Sequence, residues 1–333
     1  MKVVSVSGGK DSTATAGMAI QKHGKENCRF VFADTGNEHE ATYEYIYNYL
    51  PKALDITIDV VRADFTEKMK AKRNYIENHW PGKGVPDDIV RSALSVMQPT
   101  GNPFLDLCLW KNRFPSRKAQ FCTQELKRYP LDNHNLELIS QGYVVESWQG
   151  VRRDESEARK FLPETEMAAE GWLIVRPIID WNIEQVIQFV VVDMGIRLNP
   201  LYSQGMGRVG CMPCINCNKN ELSEIAARFP HHIDRIREWE QLIAKASKRG
   251  FTTFFCGSAM RSDVPLPGYV YKPAKDSNGN DLAPYVEGDE LIYKRYNIDE
   301  MVRWSRTSRG GKHFDLFKGQ EESGCTSIYG LCE

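Results

Sequence analysis

The first 65 residues alternate short apolar runs with longer amphipathic stretches. The apolar runs are rich in β-branched and aromatic residues and predict strands, whereas the stretches between them predict helices. The predicted strands cover 2–7, 29–33 and 56–61, and the predicted helices cover 12–23 and 38–50. Gly24 lies where a helix C-cap is expected, and Pro51 is expected to stop the second helix. The pattern predicts an α/β fold, a parallel sheet with helices on both faces that binds its ligand at the carboxyl ends of the strands.

The middle of the chain breaks this alternation. Turn-forming Pro, Gly and Asn residues are closely spaced over 66–128, so we interpret this stretch as a helical insertion. Strands are predicted again at 142–149 and 172–175. A further helix is expected after Asn182, which is positioned to form a capping box with Gln185.

The composition changes at Cys211. A cysteine cluster precedes two amphipathic stretches, 221–229 and 231–248, and then an aromatic, loop-rich tail. We therefore predict two units: an α/β domain over 1–210 that contains the insertion, and a cysteine-containing C-terminal region over 211–333.

Composition and charge narrow the class of protein. Of the 333 residues, 41% are hydrophobic and 26% are charged, which argues against a disordered, collagen-like or coiled-coil chain. The 43 Lys and Arg residues nearly balance 44 Asp and Glu residues, so attraction of an anion requires a local cationic cleft. Nine cysteines, an odd count, suit a reducing compartment. We expect a cytoplasmic protein with neither a leader peptide nor a membrane span, since no apolar run approaches about 20 residues.

The segment Ser-Gly-Gly-Lys-Asp-Ser-Thr directly follows the first predicted strand. Its two glycines let the backbone turn tightly, and the helix behind it offers N–H groups and a partial positive charge to an anion. Its spacing differs from that of the P-loop and of the dinucleotide fingerprint. The candidate phosphate-binding residues are Ser7, Gly8, Gly9, Lys10, Asp11, Ser12 and Thr13. Asp11 would repel phosphate unless it helps to hold Mg²⁺ or caps the helix, and a tight turn capped by Asp11 or Ser12 is the alternative interpretation.

A second cationic segment follows the strand predicted at 142–149. Gly150, Arg152 and Arg153 come directly after it, and Arg159 lies further on. Guanidinium groups bind phosphate or sulfate through paired hydrogen bonds and stabilise charge that develops during nucleotidyl transfer. These residues therefore join the candidate nucleotide site, with a solvated face paired to the neighbouring acidic residues as the alternative.

Three cysteines, Cys211, Cys214 and Cys217, lie within seven residues of one another. Their spacing suits a tetrahedral zinc ion or an iron–sulfur cluster, and either needs a fourth ligand from elsewhere in the chain. Cys325 and Cys332 lie in the last nine residues and are candidates for a reactive redox tail. We interpret Cys28, Cys108 and Cys256 as core residues.

Ser-Gly-Gly-Lys-Asp-Ser after a first strand resembles the pyrophosphate loop of the adenine nucleotide α-hydrolase group, the PP-loop superfamily. Further segments resemble those of the phosphoadenosine phosphosulfate (PAPS) reductase family. They are Phe-Ala-Asp-Thr-Gly-Asn-Glu at 32–38, Gln-Gly-Val-Arg-Arg-Asp-Glu-Ser at 149–156, Arg-Pro-Ile-Ile-Asp-Trp at 176–181, Asn-Pro-Leu-Tyr at 199–202 and Gly-Cys-Met-Pro-Cys at 210–214. The matches keep the family's order from Ser7 to Cys214.

This resemblance implies roles for individual residues. The residues that would contact the adenosine are Ala33, Asp34, Thr35 and Gly36, for which a strand-ending turn is the alternative. The residues that would be catalytic are Lys10, Asp11 and Arg152.

The resemblance also nominates a fourth cysteine ligand. Phe-Cys-Thr-Gln-Glu-Leu-Lys at 121–127 is similar to the family's paired-cysteine segment, with Phe121 in place of the first cysteine. Cys122 would then join the three clustered cysteines around a [4Fe–4S] cluster, with zinc as the alternative.

Three functions are compatible with these features. In the first, the enzyme binds ATP with Mg²⁺, an acceptor attacks the α-phosphate, and pyrophosphate leaves; the adenylated acceptor then receives sulfur from the cluster, a thiol or a sulfur donor protein. In the second, the enzyme is a sulfonucleotide reductase that releases sulfite. In the third, the chain is a non-catalytic module that binds nucleotide or nucleic acid. We favour the first, because intact Lys10-Asp11 is typical of members that split ATP and the sequence lacks the ECGxH motif of true reductases.

The sequence does not specify the acceptor. A nucleic acid would need a basic surface, for which 70–73, 111–118 and 303–312 are candidates, although each can equally be a solvated helix face or loop. We further expect an adenine nucleotide as partner, no membrane partner, and assembly as a homo-oligomer.

Overall fold

The computed structural model describes residues 1–255 and 297–307, together with the backbone of 259–261 and 293–295. Six strands form the main sheet: β1 Lys2–Ser5, β2 Cys28–Ala33, β3 Ile58–Val61, β4 Glu146–Trp148, β5 Thr165–Met167 and β6 Leu173–Val175. Their order is β3-β2-β1-β4-β6-β5, and every neighbouring pair is parallel except β5 with β6. The predicted α/β fold is confirmed, and β5 is a strand that the sequence pattern did not predict.

Helices connect the strands and extend the fold beyond the sheet. In the first 200 residues they are α1 Lys10–His23, α2 (Glu40–Glu44, Tyr45–Tyr49 and Leu50–Leu54), α3 Thr66–His79, α4 Asp87–Val96, α5 Pro103–Lys111, α6 (Phe121–Thr123, Gln124–Arg128 and Tyr129–Ser140) and α7 (Ile183–Ile187 and Gln188–Asp193). The later elements are α8 Pro200–Ser203, α9 Lys219–Arg228, α10 Pro230–Ala246, the antiparallel strands β7 Ala259–Arg261 and β8 Tyr293–Arg295, and α11 Ile298–Ser305. None of the helices in the described part of the chain is both long and apolar enough to cross a membrane.

The main sheet is covered by helices on both faces. Successive strand residues point to opposite faces, so Val3 and Val4 belong to different cores. Val4 packs in one core with side chains of α1, α2 and α7, including Ile46. Val3 packs in the other with Leu131 and Leu138 of α6. The predicted layering is therefore confirmed.

Pro51 does not stop α2, contrary to the prediction. The helix widens to a π-type turn at Tyr45–Tyr49, where the N–H of Leu50 bonds to the carbonyl of Tyr45, and the left-handed residue Asp55 (φ 51°) ends it. A wider turn relieves the clash between a proline ring and the carbonyl of the preceding turn.

Other predicted helix ends agree with the structure. Gly24 is the C-cap of α1, and its N–H bonds to the carbonyl of Ile20. At the start of α7, Gln185 N donates to Asn182 Oδ1 (2.8 Å) and Asn182 N donates to Gln185 Oε1 (2.9 Å), which is the predicted capping box.

The stretch between β3 and β4 is helical, as predicted. Its helices α3, α4 and α5 share one apolar core with α9, α10 and α11, in which Ile76, Val90 and Leu107 pack with Ile236 and Val302. The insertion and the C-terminal helices thus stabilise each other by burying a common surface. The domain division at residue 210 stays a prediction.

Candidate nucleotide site and cysteine loop

A crevice lies at the carboxyl ends of β1, β2 and β4, where parallel sheets bind their ligands. It contains about 500 Å³ of empty space, open solvent at its mouth included. Its lining includes Ser7, Ser12, Ala33, Glu38, Lys127, Gln149, Gly150 and Gly210. Segments that are far apart in the sequence, and that were predicted to bind a nucleotide, therefore meet at one site.

The phosphate loop (residues 7–13) is held in a defined conformation by its own side chains. Gly8 has a left-handed backbone (φ +83°), and Gly9 is the N-cap of α1 without any side-chain cap. Ser12 Oγ accepts a hydrogen bond from Ser7 N (3.1 Å) and donates one to the carbonyl of Gly9 (3.0 Å). Ser12 therefore closes the loop, and the alternative interpretation in which Asp11 or Ser12 caps the helix is wrong.

Contacts of Lys10 and Thr13 complete the loop. The backbone N–H of Lys10 donates to the hydroxyl of Tyr202 (3.1 Å), which lies in α8. Thr13 Oγ1 donates to the carbonyl of Gly9 (2.9 Å). The first turn of α1 is thus anchored, and Ser7 and Ser12 beside it line the crevice. Helix N-termini placed in this way can bind anions.

Asp11 lies at the centre of a buried cluster of charges. Its Oδ1 accepts from Arg152 Nε (2.8 Å) and its Oδ2 accepts from Lys10 Nζ (3.0 Å). The side chains of Asp11 and Arg152 are both 0% exposed. Because an unpaired carboxylate is very costly to bury, the two cations are what permits an acid in a phosphate loop.

Gly150, in the segment after β4, lies against the backbone of the phosphate loop. A Cβ at this position would lie 2.8 Å from the carbonyl carbon of Asp11 and 2.9 Å from the amide nitrogen of Ser12. Both neighbours are backbone atoms that cannot rotate away. Glycine is therefore required where the segment after β4 crosses the phosphate loop.

The three arginines of the predicted arginine segment have different surroundings. Arg152 also donates to both carboxylate oxygens of Asp154 (2.7 Å each). Arg153 donates to the carbonyl of Leu162 (3.0 Å from Nε and 2.8 Å from Nη2) and pairs with Asp180, so it braces a neighbouring loop. The buried side chain of Arg159 pairs with Glu155. Of the three, Arg152 is the one bound directly to the phosphate loop.

The segment after β2 forms a turn that Asp34 closes. Asp34 Oδ1 accepts from the N–H of Gly36 (2.9 Å) and from the hydroxyl of Tyr43 (2.8 Å), while Oδ2 pairs with Arg62 Nε (3.0 Å). Gly36 has a left-handed backbone (φ +77°), and a Cβ there would lie 2.9 Å from the Asn102 side chain. The hydrogen bonds of Asp34 thus fix this turn in the wall of the crevice, next to Ala33.

Cys211 lies against this turn. Thr35 Oγ1 donates to Glu38 Oε1 (2.6 Å) and lies 3.5 Å from Cys211 Sγ. Burial, reinforced by the negative charge of Glu38, raises the pKa of Cys211 to about 12. The N–H of Met212 donates to the carbonyl of Asn37 (2.8 Å), so the cysteine loop (residues 211–217) is docked on the end of β2.

The fourth predicted cysteine ligand lies in a segment bound to this loop. Asn216 Nδ2 donates to Gln120 Oε1 (3.3 Å), two residues before Cys122, and Arg117 Nη2 donates to the carbonyl of Cys217 (3.1 Å). Cys122, Cys214 and Cys217 belong to the same apolar core. Burial raises the pKa of Cys217 well above its usual value, whereas nearby Arg208 and Arg117 oppose that shift.

The described residues contain one group of three or more His, Cys, Asp and Glu side chains whose ligand atoms all lie within 4.8 Å of one another, and it is His39, Glu40 and His232. The choice between an iron–sulfur cluster and zinc for the four cysteines stays a prediction.

Several predictions concern other parts of the chain. Cys28 and Cys108 are buried core residues, as predicted, whereas Cys256 and the proposed redox tail, Cys325 and Cys332, lie outside the described residues. Within the basic segment 111–118, Lys111 pairs with Glu125 (3.2 Å), so part of its charge is already neutralised.

Lys127, Glu38 and Tyr202 are candidate site residues that the sequence analysis did not select. Lys127 and Glu38 line the crevice and are 9% and 3% exposed, and Tyr202 holds the phosphate loop. All three lie in segments that carried the family resemblance, but single polar residues within those segments gave no further signal.

Comparisons with known proteins show which family the chain belongs to. The model of the phosphoadenosine phosphosulfate reductase domain matches residues 1–87 and 106–217. Over its full length the chain is 40% identical to an uncharacterised 37.8 kDa protein of Escherichia phage 186, covering 97% of that protein. It is 39% identical over 90 residues to the adenosine 5'-phosphosulfate reductase of Rhizobium tropici, a match that covers 27% of this chain and 49% of that enzyme.

A solved PAPS reductase from Candida auris, in a phosphate complex, aligns with 17% identity and a TM-score of 0.39 over 63% of this chain and 80% of that one. The domain model matches more than half of the sequence. The matched residues include the phosphate loop, the end of β2, the arginine segment and the cysteine loop. The predicted resemblance is thereby confirmed, and the chain belongs to the phosphoadenosine phosphosulfate reductase family.

Proposed function

We propose that the protein is a PP-loop enzyme that binds ATP with Mg²⁺ and transfers its adenylyl group to an acceptor, with release of pyrophosphate. The observation that carries this proposal is the phosphate loop, in which Asp11 holds Lys10 and Arg152 together at the N-terminus of α1. We infer that this loop binds the β,γ-pyrophosphate of ATP, a group that a phosphosulfate nucleotide lacks.

The chain's own groups account for the binding of the leaving group. The N-terminus of α1 and the Gly8-Gly9 backbone would bind the β- and γ-phosphates, and the Lys10 ammonium would offset their charge. An acceptor oxygen then forms a bond to the α-phosphorus, the bond to the α,β-bridging oxygen breaks, and pyrophosphate leaves with that electron pair. Guanidinium and ammonium groups placed in advance stabilise the charge that develops on the leaving oxygen.

The carboxylate of Asp11 is already engaged by two cations. It therefore fits the role of a positioning residue for Lys10 and Arg152 better than that of a metal ligand. Mg²⁺, when bound, would be held largely by the phosphates, as is usual for nucleotide sites, and would reduce the charge on the leaving group.

We propose further that Cys122, Cys211, Cys214 and Cys217 hold an iron–sulfur cluster. Four thiols on two hydrogen-bonded segments support this ligand set. The charges of Lys127, Arg117 and Arg208 partly offset the burial that raises the pKa of Cys211 and Cys217. The position of Cys211 beside Glu38, a residue of the crevice wall, supports a role close to the nucleotide. A cluster there would supply or activate the sulfur that replaces adenylate on the acceptor.

The sulfonucleotide reductase activity is the second candidate, and the local identity to adenosine 5'-phosphosulfate reductases favours it. In that reaction a cysteine thiolate attacks the sulfur of the phosphosulfate and the nucleotide leaves. A dithiol reductant then releases sulfite. The first candidate accounts better for the intact Lys10-Asp11 pair.

Nucleotide binding by isothermal titration calorimetry tests the proposal. We expect ATP to bind more tightly than AMP and adenosine 5'-phosphosulfate, and inorganic pyrophosphate to compete with ATP. Lys10→Ala should weaken ATP binding at least tenfold, about 1.4 kcal/mol, and leave AMP binding nearly unchanged.

Lys22→Ala is the matched control, because Lys22 is exposed in the last turn of the same helix. This variant should bind ATP like the wild type. Tighter binding of the phosphosulfate than of ATP, or equal ATP affinity in Lys10→Ala and Lys22→Ala, would contradict the proposed function.

A further inference from the structure

Three histidines surround one carboxylate where α2 and α10 meet. His39 is the N-cap of α2, Glu40 follows it, and His231 and His232 lie in the first turn of α10. Glu40 Oε2 lies 3.1 Å from His232 Nε2, 3.6 Å from His231 Nε2 and 3.6 Å from His39 Nδ1. This cluster belongs neither to the crevice nor to the cysteine set.

These separations resemble those of a metal's ligand shell. Two ligand atoms at 2.0–2.1 Å from a tetrahedral zinc ion are about 3.4 Å apart. The ligand atoms of His39, Glu40 and His232 all lie within 4.8 Å of one another. Two imidazoles and one carboxylate are a ligand set that zinc and similar divalent ions prefer.

The imidazoles of this group are largely buried. His232 is fully buried and His39 is 8% exposed. The nitrogens that face Glu40 are His39 Nδ1 and His232 Nε2, and these are the atoms that would bind the ion.

A nearby guanidinium group bears on whether the cluster can hold a cation. Arg235 opposes a cation, but it is committed to Asn37 Oδ1 (2.8 Å) and the carbonyl of Met212 (2.7 Å), and the Glu40 carboxylate offsets it.

Coordination requires one rearrangement. His39 Nδ1 accepts the N–H of Ala41 (2.9 Å), and a metal bond to this nitrogen would release that amide. The amide groups in the first turn of a helix have no acceptor within the helix and bond readily to water. The free-energy cost of releasing the Ala41 amide is therefore small compared with the gain from a metal bond.

We propose that His39, Glu40 and His232 form a site for a divalent transition-metal ion of the zinc class, with the exposed His231 as the fourth ligand. The ion would join the start of α2 to the start of α10. Arg235, one turn along α10 from His231 and His232, holds both the segment after β2 and the cysteine loop. The metal would therefore fix the cysteine loop against the crevice wall.

Zinc titration of the full-length, chelator-treated protein tests this site, with isothermal titration calorimetry and metal analysis after dialysis. The wild type should bind one more equivalent of Zn²⁺ than Glu40→Gln and His232→Gln, or bind that equivalent at least tenfold more tightly. His134→Gln is the matched control, because His134 Nε2 lies 3.5 Å from the Asp59 carboxylate without a second histidine. It should bind zinc like the wild type.

Cobalt substitution separates this site from the cysteines. Co²⁺ held by nitrogen and oxygen gives visible bands without sulfur-to-cobalt charge transfer, so Glu40→Gln should lose those bands and keep any sulfur signal. Glu40 is exposed, so this variant is expected to fold even if His232→Gln does not. Equal zinc stoichiometry and affinity in the wild type and Glu40→Gln would overturn the proposal.

Discussion

Substitution of Gly150 by alanine tests how the phosphate loop is held. The added Cβ would lie 2.8 Å from the carbonyl carbon of Asp11 and 2.9 Å from Ser12 N. Carbon atoms in contact prefer about 3.5–4.0 Å, so the backbone of the loop or of the segment after β4 must move by about 0.7 Å. Because the Arg152–Asp11 ion pair fixes both segments, we expect the phosphate loop to be distorted.

The size of the effect follows from the cost of overpacking. Extra atoms in a well-packed site cost about 1–3 kcal/mol. Since about 1.4 kcal/mol is a factor of ten in affinity, ATP binding should weaken about 5- to 150-fold if the loop must return to its original conformation to bind ATP. Isothermal titration calorimetry gives the affinity for ATP. Urea unfolding shows whether the variant is folded and whether it unfolds at the same urea concentration as the wild type.

Gly82→Ala is the control, because no heavy atom lies within 4 Å of its added Cβ. We expect its ATP affinity to be unchanged. A folded Gly150→Ala protein that binds ATP as tightly as Gly82→Ala would refute the argument that the close backbone approach shapes the site.

Other substitutions test the buried charges and the cysteines. Arg152→Met leaves the buried carboxylate of Asp11 without one of its two cations, so urea unfolding should show a loss of about 3–5 kcal/mol; Asp11→Asn in the Arg152→Met background should recover part of it. Burial raises the pKa of Glu240 to about 7 from 4.5, so the folded state holds a proton that the unfolded chain has lost. The stability that this proton contributes is complete below pH 4.5 and is lost as the pH rises through about 7. The free energy of unfolding of the wild type should therefore fall over this range, and that of Glu240→Gln should change less. Cys211→Ser should reduce the iron and sulfide content of anaerobically purified protein, whereas Cys28→Ser, in a core strand, should not.

The alternation of strands and helices could be predicted from the sequence because it is a local pattern. Buried parallel strands such as β1 and β2 appear as apolar runs, and the caps at Gly24 and Asn182 depend on neighbouring residues. β5, by contrast, is a three-residue edge strand, Thr-Glu-Met, whose side chains are largely exposed. Its pairing with β6 is set by the tertiary fold, so no apolar pattern marks it.

The sequence was enough to predict which segments form the candidate site, but not which of their side chains contact each other. The sequence places glycines and cations in the phosphate loop and the arginine segment, but Arg152 and Arg153 look equivalent there. Only the structure shows that Arg152 is buried against Asp11 while Arg153 bonds to a neighbouring loop. His39 and His232 are likewise nearly 200 positions apart, and packing of α10 on the start of α2 brings them together.

The products formed from two nucleotides test the central claim most directly. The anaerobically purified wild-type protein is incubated in parallel with Mg²⁺-ATP and sulfide, and with adenosine 5'-phosphosulfate or PAPS and a dithiol. Pyrophosphate and sulfite are then quantified in both reactions. Without the natural acceptor, water supplies the oxygen that attacks the α-phosphorus, so we expect AMP and pyrophosphate from ATP, both abolished by Lys10→Ala, and no sulfite above background. Sulfite release without ATP cleavage would contradict the account and identify the protein as a sulfonucleotide reductase.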